Sequence, residues 1–213
     1  MSGISEDPLR PEHLRRADET DDGLFYETPR LVVHIDEPAC AALAEYYGHA
    51  LPPGGDILDL MSSYASHLPP DAAYGSVIGL GMNETELEAN PQLTGHRVHD
   101  LNRFPTLPFD DGSFDACVLA VSVQYLVEPA KVFAETARVL RPGAPFAITY
   151  SNRLFPTKAV ALWQALDAAK RAKLVDLYFS LAGGFEKPAF EDLSPHPGSS
   201  DPLYVVSARR AYS

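Results

Sequence analysis

The sequence predicts an α/β protein, with a mainly parallel sheet covered by helices on both faces. Three observations carry this. From residue 56 onward, short runs rich in Val, Ile and Leu alternate with stretches of helical character, the rhythm of consecutive β-α-β units. The interiors of these runs are apolar throughout, as in strands buried on both faces. Polar residues gather where the runs end, at Asp59, Asn83, Asp100 and Ser122 to Tyr125, where open α/β sheets bind ligands.

The elements follow in order. Residues 1–22 are polar and are expected to be a loose N-terminal segment, with a single domain over 23–213. Residues 24–47 read as helical and 23–53 as a helical lid or cap. Asp36 suits an N-cap before Pro38, and LPPGG (51–55) breaks the helix. DILDLM (56–61) is the first strand. SSYASHL (62–68) reads as a short helix capped by Ser62 or Ser63. SVIGLG (76–81) is the second strand, and a helix runs from an Asn83 cap to a stop at Pro91. HRVHDL (96–101) is the third strand and DACVLAVSV (115–123) the fourth, after a turn at 110–113. In 128–140, Val132, Phe133, Thr136, Val139 and Leu140 share one helix face, and Pro142 and Gly143 end it. APFAITYSN (144–152) is the fifth strand. A helical stretch over 157–181 stops at Gly183 and Gly184, and FEKPAFEDL and PLYVVSARR close the chain as two strands.

The totals narrow the function classes. The 213 residues, 46% hydrophobic and 22% charged, suit one globular domain with a sizeable core. No apolar run reaches the roughly 20 residues of a membrane helix, and the polar start carries no apolar signal core. A cytoplasmic location without membrane partners is the expectation. The net charge of −12 and the short, scattered basic pairs predict no nucleic-acid partner. Cys40 and Cys117 lie in apolar helix-like and strand-like runs, which favours two buried thiols over a disulfide. No metal site is expected: His96 and His99 would point to opposite faces of a strand, and no cysteine pair has zinc spacing. The residues after the first strand contain neither a G-x-S-x-G elbow nor a G-x-G-x-x-G loop, against a serine hydrolase or a nicotinamide enzyme.

The stretch HDLNRFPTLPFDDGSFDACVLAVSVQYLVEPAKVFAETARVLRPGAPFAIT (99–149) resembles the central part of class I S-adenosylmethionine (SAM)-dependent methyltransferases of the type 11 kind. The PFDDGSFD and ARVLRPG segments carry most of the likeness, which runs well over about 54–149. DLMSSYASHLP, GMN and SVQYL further resemble a subgroup with an altered first motif, DLMSS, whose substrate is unassigned. The resemblance implies a Rossmann-like, doubly wound sheet of seven strands in the order 3-2-1-4-5-7-6, the last antiparallel. It also implies SAM as cofactor and a small-molecule methyl acceptor, and it leaves the oligomeric state open.

Carried over residue by residue, the family's first acid falls on Asp59, facing the cofactor's ammonium side. The glycines that follow it fall on Met61, Ser63 and Ala65, with Ser62 between them. The acid that grips the ribose falls on Gly81, with Asn83 two residues on as a weaker substitute. The acid that reads adenine falls on Asp100, with Leu101 against the ring. Ser122, Gln124 and Tyr125 match the lining of the methyl-transfer pocket. The departures at Met61, Ser63 and Gly81 imply a remodelled cradle, in which a serine-led helix start still offers free N–H groups to the cofactor carboxylate.

Methyl transfer asks the protein mainly to align a nucleophile, and aromatic faces can favour the sulfonium. Tyr26, Tyr64 and Tyr125 are the candidate rings, Tyr125 with a catalytic role. A hydroxyl or ammonium acceptor needs a general base. His34, in PRLVVHID, is the candidate, with Tyr26, Arg30 and Gln124 contacting substrate and Arg30 as an anion clamp. The rival reading is a non-catalytic protein on the same fold that binds a metabolite or protein partner. The lost glycines and ribose acid favour it, and the retained Asp59 and Asp100 oppose it.

Overall fold

In the computed structural model, which describes residues 9–212, seven strands form one sheet. They are β1 (Asp56–Leu60), β2 (Ser76–Gly81), β3 (Gly95–Val98), β4 (Ala116–Ala120), β5 (Pro145–Tyr150), β6 (Ala189–Asp192) and β7 (Tyr204–Arg209). Their order is β3-β2-β1-β4-β5-β7-β6. β1 to β5 run parallel, and β7 is antiparallel to both β5 and β6. Order and direction agree with the sequence expectation.

Alternate strand residues feed two cores. On one face Ile57, Val77, Val118, Ala147 and Val205 pack under Ala39, Leu43 and Tyr47 of α2 (Glu37–Ala50). On the other, Leu58, Leu119, Phe146, Ile148 and Val206 meet α4 (Pro129–Val139) and α6 (Ala168–Ala182). The five residues expected on one face of α4 are all fully or almost fully buried. Asp36 caps α2 by accepting from the Ala39 N–H at 3.0 Å. Gly183, at φ 66°, ends α6 in a conformation that suits glycine. Cys40 and Cys117 are free thiols.

Several expectations need correction. The helix foreseen over 24–47 is two pieces: α1 (Asp22–Tyr26), then an irregular arch, then α2. The lid role foreseen for 23–53 fits only α1 and the arch, because α2 is a core layer. Residues 9–22, expected to be loose, are fastened to the fold. Leu9 is buried, and Arg16 and Lys158 pair with the buried Asp22; residues 1–8 lie outside the described part. The third strand stops at Val98, short of His99 and Asp100. The helical stretch 157–181 is α5 (Ala161–Ala165) and α6, the latter started by Asp167 as N-cap.

The largest departure lies between β1 and β2, where 62–68 is not a helix. Its polar groups are claimed by other elements. The Ser62 N–H donates to Leu80 O at 2.9 Å. The Asn90 amide donates to Ser63 O and Ser66 Oγ, and the Leu68 N–H goes to Gln92. Serine hydroxyls and backbone so engaged have no need of the i→i−4 ladder. α3 (Glu84–Glu88), the helix after β2, forms as read, with Asn83 Oδ1 accepting from the Glu86 N–H.

Candidate active site

Strand order reverses between β1 and β4, and at their carboxyl ends the molecule holds a hollow of about 290 Å³. Such switch points open a crevice because the following connections leave in opposite directions. Three residues with side chains sit at positive φ, Met61 (54°), His67 (58°) and Val121 (44°), and all three line this hollow. Left-handed backbone costs an L-residue about 1–2 kcal/mol, more readily tolerated where a site needs the chain bent. Met61 thus adopts the backbone that a glycine would take without strain, and its side chain packs against the core.

Asp59 is 2% exposed and lines the hollow floor. Ser62 Oγ donates to its Oδ2 at 2.6 Å. Burial, only partly offset by hydrogen bonds from Ser62 and Ser66, pushes its carboxyl up to about 7. Ser62 of the altered first motif therefore holds the acid rather than capping a helix. Ser63 Oγ donates to Glu86 Oε2 at 2.5 Å. The helix N-terminus expected to receive a cofactor carboxylate is absent from this turn.

At the end of β2, a Cβ on Gly81 would stand 2.1 Å from the Ser62 carbonyl oxygen. No acid can occupy that position while 61–63 keeps this path. Asn83 does not stand in for one. Its amide Nδ2 donates to Tyr26 O at 2.8 Å and Glu27 O at 3.1 Å, and its Oδ1 caps α3. It ties the lid to α3 instead. Asp100 and the buried Leu101 both line the hollow. Asp100 Oδ1 accepts the N–H groups of Asn102 and Arg103, so the other oxygen makes no bond that fixes the turn.

Tyr26, Arg30 and His34 come from α1 and the arch and face Ser122 and Tyr125 across the hollow. Ser122 Oγ donates to Ala120 O at 2.9 Å. Tyr125 Oη accepts the Phe155 N–H at 2.8 Å, and burial raises its pKa. It presents an uncharged ring rather than a base. His34 is lowered by burial, while the nearby Glu86 carboxylate opposes that shift. His67 is lowered to about 4 by burial and the neighbouring His34. Both shifts favour the neutral imidazole.

Two expected residues stand apart. Gln124 is buried, gives its Nε2 to Val121 O at 2.7 Å, and does not line the hollow. It is thus absent from the proposed substrate wall, and Tyr64 is absent from the lining too. The sequence reading missed Glu86, His67 and Phe155. Glu86 follows its Asn83 cap by three residues, which reads as a capping motif alone; Phe155 sits in a loop with no pattern. Outside the hollow, Glu84, Glu88 and His96 bring ligand-type atoms within 4.8 Å of one another on the exposed side of α3 and β3.

A family model for the methyltransferase domain matches residues 60–148, from the end of β1 through β5. The sheet order is that of the class I fold. The methyltransferase domain match and the class I fold thus fall on the same strands, β1 to β5. Among solved structures, the chain is similar to a SAM-dependent methyltransferase from Mesorhizobium loti, with a TM-score of 0.56 and 17% identity. That match covers 79% of this chain and 98% of the other. Two relatives align over 99 residues. The demethylmenaquinone methyltransferase of Clavibacter sepedonicus is 37% identical over 45% of this chain and 40% of its own length. The biotin biosynthesis bifunctional protein BioHC of Teredinibacter turnerae is 34% identical over 46% of this chain and 16% of its own. The chain thus spans less than half the length of the curated relatives it matches. Among its described residues, no helix is long and apolar enough to cross a membrane.

Proposed function

We propose that this chain transfers a methyl group from SAM to a small-molecule acceptor held under the α1 lid. The observation that carries this reading is one hollow at the sheet's switch point lined by Asp59, Asp100 and, from its lid, His34. SAM, when bound, supplies an electrophilic methyl group whose carbon–sulfur bonding pair leaves with the sulfur. Asp59 would face the ammonium group of its amino-acid end, with Ser62 orienting the carboxylate. Asp100 would accept from the adenine amino group and Leu101 would lie against the ring. The ribose has no acid at position 81 to hold it, so its diol relies on neutral groups.

Tyr26, Tyr125 and Ser122 shape the acceptor side, and the two rings favour positive charge nearby. His34 takes the acceptor's proton. A second reading, a non-catalytic binding protein on this fold, is favoured by the Ser62 carbonyl that fills the space at Gly81 and by the fully engaged Asn83. Calorimetric titration with SAM and S-adenosylhomocysteine separates the two. Heat of binding with both is expected, weakened at least fivefold in Asp100→Asn, a change that keeps the Oδ1 turn bonds. No heat with either would put the binding-protein reading ahead, and unchanged affinity in the variant would remove Asp100 from the adenine site.

A further inference from the structure

We propose that the acceptor is a small planar hydroxy acid whose carboxylate is held by Arg30 and whose hydroxyl proton passes to His34. This deepens the methyl-transfer reading and rests on it for the fate of the oxygen. Phe155 is the centre of the arrangement. Tyr125 stacks beside it (centroids 5.8 Å apart, planes at 28°), and the His34 ring meets it edge-on at 5.5 Å. The Arg30 guanidinium carbon lies 5.4 Å from its centroid. Arg30, His34, Tyr125 and Phe155 all line the hollow, with Tyr26 beside Arg30. The acceptor side is therefore a set of aromatic walls carrying the Arg30 guanidinium and the His34 imidazole.

The charge on Arg30 is unmatched. Its guanidinium donates to Phe25 O at 3.0 Å and reaches toward Thr28 O at 3.5 Å, and no described carboxylate lies within 4 Å of it. Arg153, the other arginine at the hollow, is paired with Asp201 at 2.7 Å. Glu86 is the nearby acid, and it binds the Arg30 backbone N–H rather than the guanidinium. Five donors in a planar fork, mostly unspent and at the wall of the hollow, match a carboxylate in two-point contact. Tyr26, Tyr125 and Phe155 in the lining of the same hollow match a flat ligand.

His34 decides the nucleophile. A carboxylate oxygen attacks without losing a proton, so a site for methyl esters needs no base. An ammonium acceptor would meet the like charge of Arg30 and the incoming sulfonium. A hydroxyl needs its proton removed, and burial keeps His34 in the form that accepts it. The O–H bond breaks, the proton goes to an imidazole nitrogen, and the oxygen keeps the electron pair that bonds the methyl carbon.

The test is binding, read separately from turnover. The three isomers of hydroxybenzoate and the matching hydroxybenzamides are titrated calorimetrically, with and without saturating S-adenosylhomocysteine. At least one acid should bind tenfold or more tightly than its amide. Arg30→Gln should shrink that ratio below twofold, and Arg30→Lys should keep part of it, an order that loss of a purely structural brace would not produce. Equal binding of acids and amides, or binding of neither, would overturn the proposal even where S-adenosylhomocysteine binds. Arg30-dependent preference for acids without S-adenosylhomocysteine binding would uphold the recognition and sink the methyl-transfer reading instead.

Discussion

At the scale of single residues, Asp59 is the most consequential side chain. A buried carboxyl raised to about 7 holds its proton far more tightly folded than unfolded, where 3.8 is ordinary. The folded state therefore binds the extra proton between these values. The group's favourable contribution is full below about pH 4 and is lost as pH rises through about 7, a linkage worth about 4 kcal/mol. Asp59→Asn should be less sensitive than the parent over pH 5–8 and more stable at pH 8, measured by urea unfolding at each pH. Equal pH slopes would mean that Asp59 ionises normally. The same carboxyl must be charged to meet an ammonium group, so S-adenosylhomocysteine should bind more tightly at pH 8 than at pH 6. Asp59 and Asp100, which both line the hollow, were legible as candidates because an acid at the end of a strand-like run is costly without a purpose. The setting of Asp59 was not legible: Ser62 and Ser66 act through side-chain bonds that no spacing rule encodes.

At the scale of elements, the strands were read well and the connections less so. Apolar runs bounded by turn residues fix β1, β2, β4 and β5, since their burial on both faces leaves few alternatives. The 62–68 segment was misread because serine after a strand is as good a cap in sequence as it is a tertiary partner in space. That segment is held by Leu80 of β2, by Glu86 of α3 and by Asn90 and Gln92 just after it. Asn83 binds the lid through Tyr26 O and Glu27 O, and Glu86, in the first turn of α3, binds the arch at the Arg30 N–H and the β1–β2 connection at Ser63. A helix of five residues thus fastens both sides of the hollow. Asn83→Ala removes a cap and two lid bonds and should cost about 2 kcal/mol. Amide exchange should quicken together in residues 24–34, 62–68 and the first turn of α3. Faster exchange confined to α3 would show the lid to be held by other means.

At the scale of the whole molecule, the lid reaches the core through Lys158, a fully buried cation. Its Nζ donates to Thr20 O at 2.8 Å, pairs with Asp22 at 3.0 Å and Asp18 at 3.2 Å, and lies 5.3 Å from the Phe25 ring centroid. Asp22 in turn pairs with Arg16 and accepts from Asn102, whose side chain also donates to Tyr125 O and accepts from Val127 N–H. One polar network therefore joins the chain before α1, the end of β3, the end of β4 and the loop after β5. A polar N-terminal stretch gives no sign of this, because an acid in DETDD looks solvated until its buried partner, over a hundred residues away, is known. Replacing Lys158 by Met fills the space but leaves Asp22 with the Asn102 amide and one cation, Arg16, and removing one partner of a buried pair typically costs about 3–5 kcal/mol. The arginine that remains places the expected loss at the lower end. The acid limb gives an independent reading. Asp22 is held below its ordinary value by hydrogen bonds from Arg16, Asn102 and Lys158, which outweigh its burial. The stability it contributes is present above about pH 4 and fades as pH falls through its lowered value, the reverse of Asp59. Lys158→Met should accordingly begin acid unfolding at a higher pH than the parent, with residues 9–34 becoming protease-sensitive first. Loss of stability at pH 7 with an unmoved acid limb would assign Lys158 to packing rather than to the charge network.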